Sequence, residues 1–160
     1  MVFFANSANG LGLSEALADR IVGGVHTVFK SGIMDGYARF DSPEMDFVHS
    51  VRQGDIMDST EKIREMVRAN PDEAPPLNEN FINGLGYRML GSEHVEDAIQ
   101  IFQLNVDLYP ESSNVYDSLG EGYMLHGDTT QAISNYEQSL ALNPENANAV
   151  AMLERLRNNK

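Results

Sequence analysis

Ser59-Thr-Glu-Lys62 places a hydroxyl three residues ahead of an amine, the spacing of a nucleophilic serine and its lysine in acyl transfer. Such a pair works only where a fold presents the serine at a site, and here the four residues open a polar helical segment behind Asp58, with Glu61 completing a capping box. Asp58 or Ser59 therefore reads as a helix cap and Lys62 as a solvated side chain. Gly12-Leu-Ser14-Glu-Ala16 loosely follows a nucleophile elbow, but that turn must follow its strand tightly, and too many residues separate Ala5 from Ser14. Ser14 reads as an N-cap. His26, His49, His94 and His126 are scattered, with no pair at the i, i+4 spacing that sets two metal ligands on one helix face. Glu96 and Asp97 are helix neighbours that point apart, and Asp35-Gly-Tyr-Ala-Arg-Phe-Asp41 lacks calcium-loop spacing. No catalytic residue, metal ligand or cofactor site is named by these spacings.

The 160 residues suit one domain with a real core. Absence of Cys excludes a disulfide framework, a Cys nucleophile and thiolate metal sites, while leaving the redox compartment open. Eleven Lys and Arg stand against 24 Asp and Glu, a net charge of −13. Residues 89–154 hold 11 acids and no Lys or Arg, and residues 155–160 hold three cations and no acid. A chain so charged repels a phosphate backbone, so nucleic acid is excluded as an expected partner. Met1-Val-Phe-Phe-Ala5 is far shorter than the roughly 18 apolar residues of a membrane span, and no export signal is evident. The chain as given is expected to be soluble and cytoplasmic, although a larger parent protein could be exported.

The elements that must position any site repeat. Sliding the chain along itself until Pro110 falls on Pro144 also puts Ile82 on Tyr116, Leu85 on Leu119, Gly86 on Gly120, Ala98 on Ala132 and Phe102 on Tyr136. In the second unit Tyr116, Leu119 and Tyr123 recur at helical spacing, predicting a helix over about 113–125. Gly127-Asp128 breaks the chain, and Asp128 with Gln131 forms a capping box for a second helix to about Leu142. Ala132 is small where it meets Gly120. Beyond Pro144 the period places Val150 and Leu153 on the apolar face, but Glu154 stands where the glycines stood, so 146–158 reads as a capping helix. Upstream, Ser42-Pro43 opens a helix to about Gln53, and a second follows Asp58 to about Ala69. The step from Pro71 to Pro110 is longer by five than the step from Pro110 to Pro144, so this is a degenerate unit.

The second unit, through Tyr116, Leu119, Gly120, Tyr123, Gly127, Ala132, Tyr136 and Pro144, resembles the tetratricopeptide repeat (TPR). Ser139 replaces the family's Ala, a change read as negligible. In the first unit Met89 replaces the Tyr and the turn glycine is displaced to Gly91. The resemblance implies a mainly α fold, a solenoid of antiparallel helix pairs with a C-terminal capping helix, behind a short N-terminal strand plus helix. Its expected divisions are 1–39 and 40–160, the latter comprising a degenerate repeat 40–73, repeats 79–112 and 113–146, and the cap 146–158.

Val2-Phe-Phe-Ala5, the Asn-containing turn behind it and a helix over Glu15 to Val22 resemble the C-terminal tail of a class C β-lactamase-like serine hydrolase carrying a TPR extension. That resemblance implies a hydrolase ancestor whose nucleophile, Tyr and Lys or His motifs are absent from this chain. An apolar strand also leaves backbone groups to be paired, so Val2 to Ala5 is expected to pair with another chain, to pack on the chain's own helices, or to drive self-association.

Helical repeats act by lining up their first helices along a concave face. Asn80, Asn83, Tyr87, Asn114, Asp117, Glu121 and Met124 point away from the buried stripe and are expected to line it. Some TPR members clamp a terminal carboxylate with Lys, Arg and Asn. Asp117 and Glu121 stand where that clamp needs cations, so a basic or mixed peptide is the expected partner, unless these acids merely keep the solenoid soluble. Two functions stay open: a non-enzymatic interaction or scaffold module, and the non-catalytic C-terminal portion of a serine hydrolase.

Overall fold

The structure is a computed structural model that describes residues 43–158. Among them seven helices follow one another: α1 (Pro43–Gln53), α2 (Ile56–Ala69), α3 (Glu79–Gly91), α4 (Val95–Leu108), α5 (Ser113–His126), α6 (Thr129–Leu142) and α7 (Ala147–Asn158). The fold of this part is mainly α, a TPR-like run of antiparallel helix pairs closed by a C-terminal helix. The expected strand at Val2–Ala5, its self-association, the helix over Glu15 to Val22 and the hydrolase-like front end lie outside the described residues.

Each pair turns in the same way. The amides of Gly54, Glu93 and Gly127 donate to Val51, Leu90 and Met124, and those of Asp55, His94 and Asp128 donate to Ser50, Met89 and Tyr123, at 3.0–3.2 Å. This pair of hydrogen bonds closes a Schellman turn, which needs a left-handed residue at its centre. Gly54 and Gly127 supply it at φ 86° and 90°, and Glu93 takes it at φ 66°. The first unit's turn is therefore not displaced to Gly91, which is the last residue of α3. The backbone requirement stays in register with Gly127, and a non-glycine residue meets it.

The residue after each turn opens the next helix. Asp128 accepts from the Gln131 amide at 3.0 Å, as its spacing predicts. In the degenerate unit the helix starts at Ile56 rather than after Asp58, with Asp55 in the capping position. Ser59 is not a cap: it is 8% exposed, its hydroxyl donates to the Asp55 carbonyl, and it stands where Ala98 and Ala132 stand in later units. Lys62 is exposed. The Ser-x-x-Lys spacing thus arises from a small buried position beside a solvated one.

Packing is set by glycine against aromatic rings. A Cβ on Gly86 would overlap the Phe102 ring, 2.7 Å from its Cδ1, one on Gly120 would lie 3.1 Å from Tyr136, and one on Gly122 would lie 3.2 Å from Ile99. These absences let α3 close on α4, α5 on α6, and α5 on α4. Phe47 holds the corresponding position of α1, where the pair cannot close as tightly. α2 instead rests on α4, with Arg64 Nε donating to Asp107 Oδ2 at 2.6 Å. Tyr109 fastens the intervening loop by donating to the Leu77 carbonyl at 2.7 Å, and Leu77 is fully buried.

Two expected details differ. Val115 is fully buried on α5 while Tyr116 is half-buried, and on α7 Ala149, at the register of Val115, is buried while Val150 is 40% exposed. The stripe read through Leu119, Gly120 and Leu153 is buried as expected, and it widens to Val115 and Ala149 on the side of the preceding pair while Tyr116 and Val150 lie at its edge. Ser139 is also not negligible. Its hydroxyl donates to the Ser113 carbonyl at 2.9 Å and receives Asn146 Nδ2 at 2.9 Å, joining α5, α6 and the start of α7. Asn105, one unit earlier, makes the matching bond to the Glu79 carbonyl at 3.2 Å. Glu154 is exposed on α7, the last described helix.

Candidate functional site

The first helices α3 and α5 are related by the step that carries Pro110 onto Pro144, which puts Asn80 beside Asn114, Asn83 beside Asp117, Tyr87 beside Glu121 and Leu90 beside Met124. The step continues into α7, where Asn148 follows Asn114 and Arg155 follows Glu121. The seven expected residues divide between two jobs.

At the helix N-terminal ends, asparagines tie neighbouring units together. Asn78 caps α3 through the amides of Asn80 and Phe81, at 2.9 and 3.4 Å. Glu79 Oε1 receives Ser112 Oγ at 3.0 Å and Asn114 Nδ2 at 3.2 Å. Asp117 receives Asn146 Nδ2 on Oδ1 and Asn148 Nδ2 on Oδ2, both at 2.9 Å. Asn114 and Asp117 therefore stand on the expected face but are engaged in contacts between repeats. A carboxylate with both oxygens occupied by amide donors has less capacity for a ligand. Sequence reasoning missed Glu79, Asn146 and Asn148, although the repeat step from Ser112 to Asn146 and from Asn114 to Asn148 was available to find them.

Further along, the face is open. Tyr87 is 38% exposed, its hydroxyl donating to Glu121 Oε2 at 3.0 Å and lying 3.3 Å from Ser118 Oγ. Its ring meets Phe102 edge to face at 5.3 Å. Burial, with the negative charge of Glu121 close by, pushes the Tyr87 phenol up to about 12. Met124 is half-buried against the cluster of Ala132, Tyr136, Ala149 and Leu153. Asn80 is exposed, and Asn83 is half-buried with its Oδ1 covered and without a partner. Tyr136 lies beneath: its side chain is fully buried, its hydroxyl has no partner, and burial together with Asp117 and Glu121 raises its pKa above the usual phenol range.

Among the described residues no group of three His, Asp or Glu side chains is placed to hold a metal ion. His94 lies 3.4 Å from Asp97 and His126 lies 3.7 Å from Glu96, and all are surface pairs. No helix among these residues is long and apolar enough to cross a membrane. What the arrangement offers is a polar face with the Tyr87 ring, the Met124 thioether, the Glu121 carboxylate with spare acceptor capacity and, on α7, the exposed Arg155 guanidinium.

No family model matches the chain, and no curated protein matches it. Solved structures do. The first TPR domain of human RPAP3 is 17% identical with a TM-score of 0.50, covering 72% of this chain and 87% of that one. Another structure of a first TPR, from Spaghetti (RPAP3) and bound to an HSP90 peptide, is 17% identical with a TM-score of 0.49, covering 73% and 89%. MamA is 22% identical with a TM-score of 0.48, and the match covers 69% of this chain and 62% of MamA. The chain thus spans about three fifths of the MamA chain it matches. At these identities the likeness is one of fold: the described residues are built as a TPR-like helical solenoid.

Proposed function

We propose that this chain is a non-enzymatic interaction module that receives a peptide or a partner segment along the face of α3 and α5. The observation that carries the reading is the pairing of Tyr87 with Glu121 across the two first helices, beside the half-buried Met124. An open aromatic, a flexible thioether and a carboxylate on a rigid helix pair form a surface suited to a side chain with an apolar stem and a polar head. Asn80 and Asn83 extend that face, while Asn114 and Asp117 hold its geometry by bonding neighbouring helices.

The partner chemistry favoured is a basic or mixed peptide. Residues 89–154 lack any Lys or Arg, so their field draws cations and repels a polyanion. The test is selection from a displayed peptide library on the whole chain, followed by binding to variants. Selected peptides should lose binding to Glu121→Lys and Met124→Glu but keep it with Glu96→Lys, whose side chain lies on the exposed start of α4. Binding that survives both face substitutions, or that depends on Glu96, would place the working surface elsewhere.

A further inference from the structure

Tyr87, Glu121 and Arg155 occupy one register position on α3, α5 and α7, so a ligand lying across these helices meets a hydroxyl, an anion and a cation in turn. Glu121 is half-buried and is bonded only to the Tyr87 hydroxyl, through one of its two oxygens. Arg155 is exposed and makes no hydrogen bond or ion pair among the described residues, although Arg157 on the same helix pairs with Glu137 at 2.6 Å. Two opposite charges are therefore left available, in a fixed order along the face. Asp117, one turn before Glu121 on α5, is already occupied by Asn146 and Asn148, which also hold the start of α7 against α5.

Tyr136 supplies a separate observation on the same spot. Its ring lies against Gly120, its side chain is completely buried, and its hydroxyl donor is unmet. Gly120 precedes Glu121 in α5, so the Tyr136 ring packs under the helix that carries Glu121. A buried hydroxyl without an acceptor costs stability, and a phenylalanine would fill the same space without that cost.

We propose that the occupant of this face is an extended peptide segment carrying opposite charges about three residues apart, its cation on Glu121 and its anion on Arg155. Packed helices sit roughly 8–10 Å apart and an extended chain advances roughly 3.3 Å per residue, so about three residues is the smallest separation that spans α5 and α7, which are hydrogen-bonded through Asp117. The inference rests on the reading of this face as the binding groove, and adds to it the charge pattern that the groove selects.

The test uses the whole chain and five fluorescein-labelled nonapeptides on one Gly/Ser/Ala background. They carry Lys-x-x-Glu, Glu-x-x-Lys, Lys-x-x-Lys, Glu-x-x-Glu or no charge, and binding is read by fluorescence anisotropy at low salt. One of the two mixed orders should bind about 5-fold more tightly than either like-charged peptide, in line with partly exposed ion pairs. The double variant Glu121→Lys/Arg155→Glu should exchange which mixed order is preferred. Tyr136→Phe should leave the Tm equal or higher and the order preference unmoved, because the hydroxyl is buried out of a peptide's reach. Equal or tighter binding of Lys-x-x-Lys overturns the proposal, as does an order preference unmoved by the charge exchange. If library-selected peptides bind this face without any charge dependence, the pattern fails while the groove stands; if neither peptide set touches the face, both fail.

Discussion

Glu93 holds φ 66° at a turn where the units on either side use glycine, and that conformation costs an L-residue roughly 1–2 kcal/mol. Glu93→Gly should therefore raise stability by about 1 kcal/mol despite its looser unfolded chain, seen as a higher denaturant midpoint at unchanged slope; no gain would mean that the Glu93 side chain compensates locally. Ser139 shows the converse, a residue whose identity was discounted and whose bonds matter. Ser139→Ala leaves the Ser113 carbonyl and Asn146 amide short of a partner, and should cost about 1–2 kcal/mol in urea unfolding. Gly86 and Gly120 separate by degree. An added Cβ meets Phe102 Cδ1 at 2.7 Å in the first case and Tyr136 at 3.1 Å in the second, so Gly86→Ala should be clearly the more destabilising in a side-by-side melt. Tyrosines set the alkaline limit. Burial raises the phenols of Tyr87, to about 12, and of Tyr136 and Tyr109. A phenol whose folded pKa lies above its unfolded value of about 10 stabilises fully below that pH and ceases to as pH rises through the folded value. Stability should hold to about pH 10 and fall between about 10 and 12, with a smaller fall in Tyr87→Phe; an identical fall in that variant would contradict the assignment.

At the scale of helices, the repeat step carried most of what could be read. Gly86 with Phe102 and Gly120 with Tyr136 are helix-to-helix contacts written as residue types, so pairing and order follow from the sequence alone. Where the sequence failed, a backbone requirement was met by an unexpected residue. Glu93 does a glycine's work, Ser59 an alanine's, and the start of α2 is fixed by the Asp55 turn rather than by the capping signal at Asp58. Phe47 in place of the packing glycine and the longer step before Pro110 together explain why α2 settles on α4. Beyond Ile56 and Ile63, which it buries in the core shared with α4, its anchorage is thin, since an ion pair half open to water contributes about 0.2–1 kcal/mol. Amides of α2 should accordingly exchange faster than those of α4, and Arg64→Ala should widen the difference. Equal protection in both helices would show that α1 and α2 belong to the same cooperative unit as the rest.

For the molecule as a whole, the candidate face was half legible. Spacing brought Tyr87, Glu121 and Met124 to one side, where they stand open or half-open. It could not show that Asn114 and Asp117 are engaged by neighbouring units, because a polar residue on a helix face reads the same whether its partner is water or the next repeat. Arg155 counts in the sequence only as one of the three cations of residues 155–160, and its register with Glu121 gives it a further role. Leu119→Ala, at the buried side of the same helix, should cost about 2–5 kcal/mol by cavity formation and thereby separate scaffold from surface. The central claim is that the face of α3 and α5 is where this chain meets its partner. The direct measurement is an amide chemical-shift map of the whole labelled chain titrated with a library-selected peptide. Shifts should concentrate over Asn80–Tyr87 and Asp117–Met124, with α2 and the exposed side of α6 unmoved. Shifts confined to α2 or α6, with those two stretches silent, would contradict it.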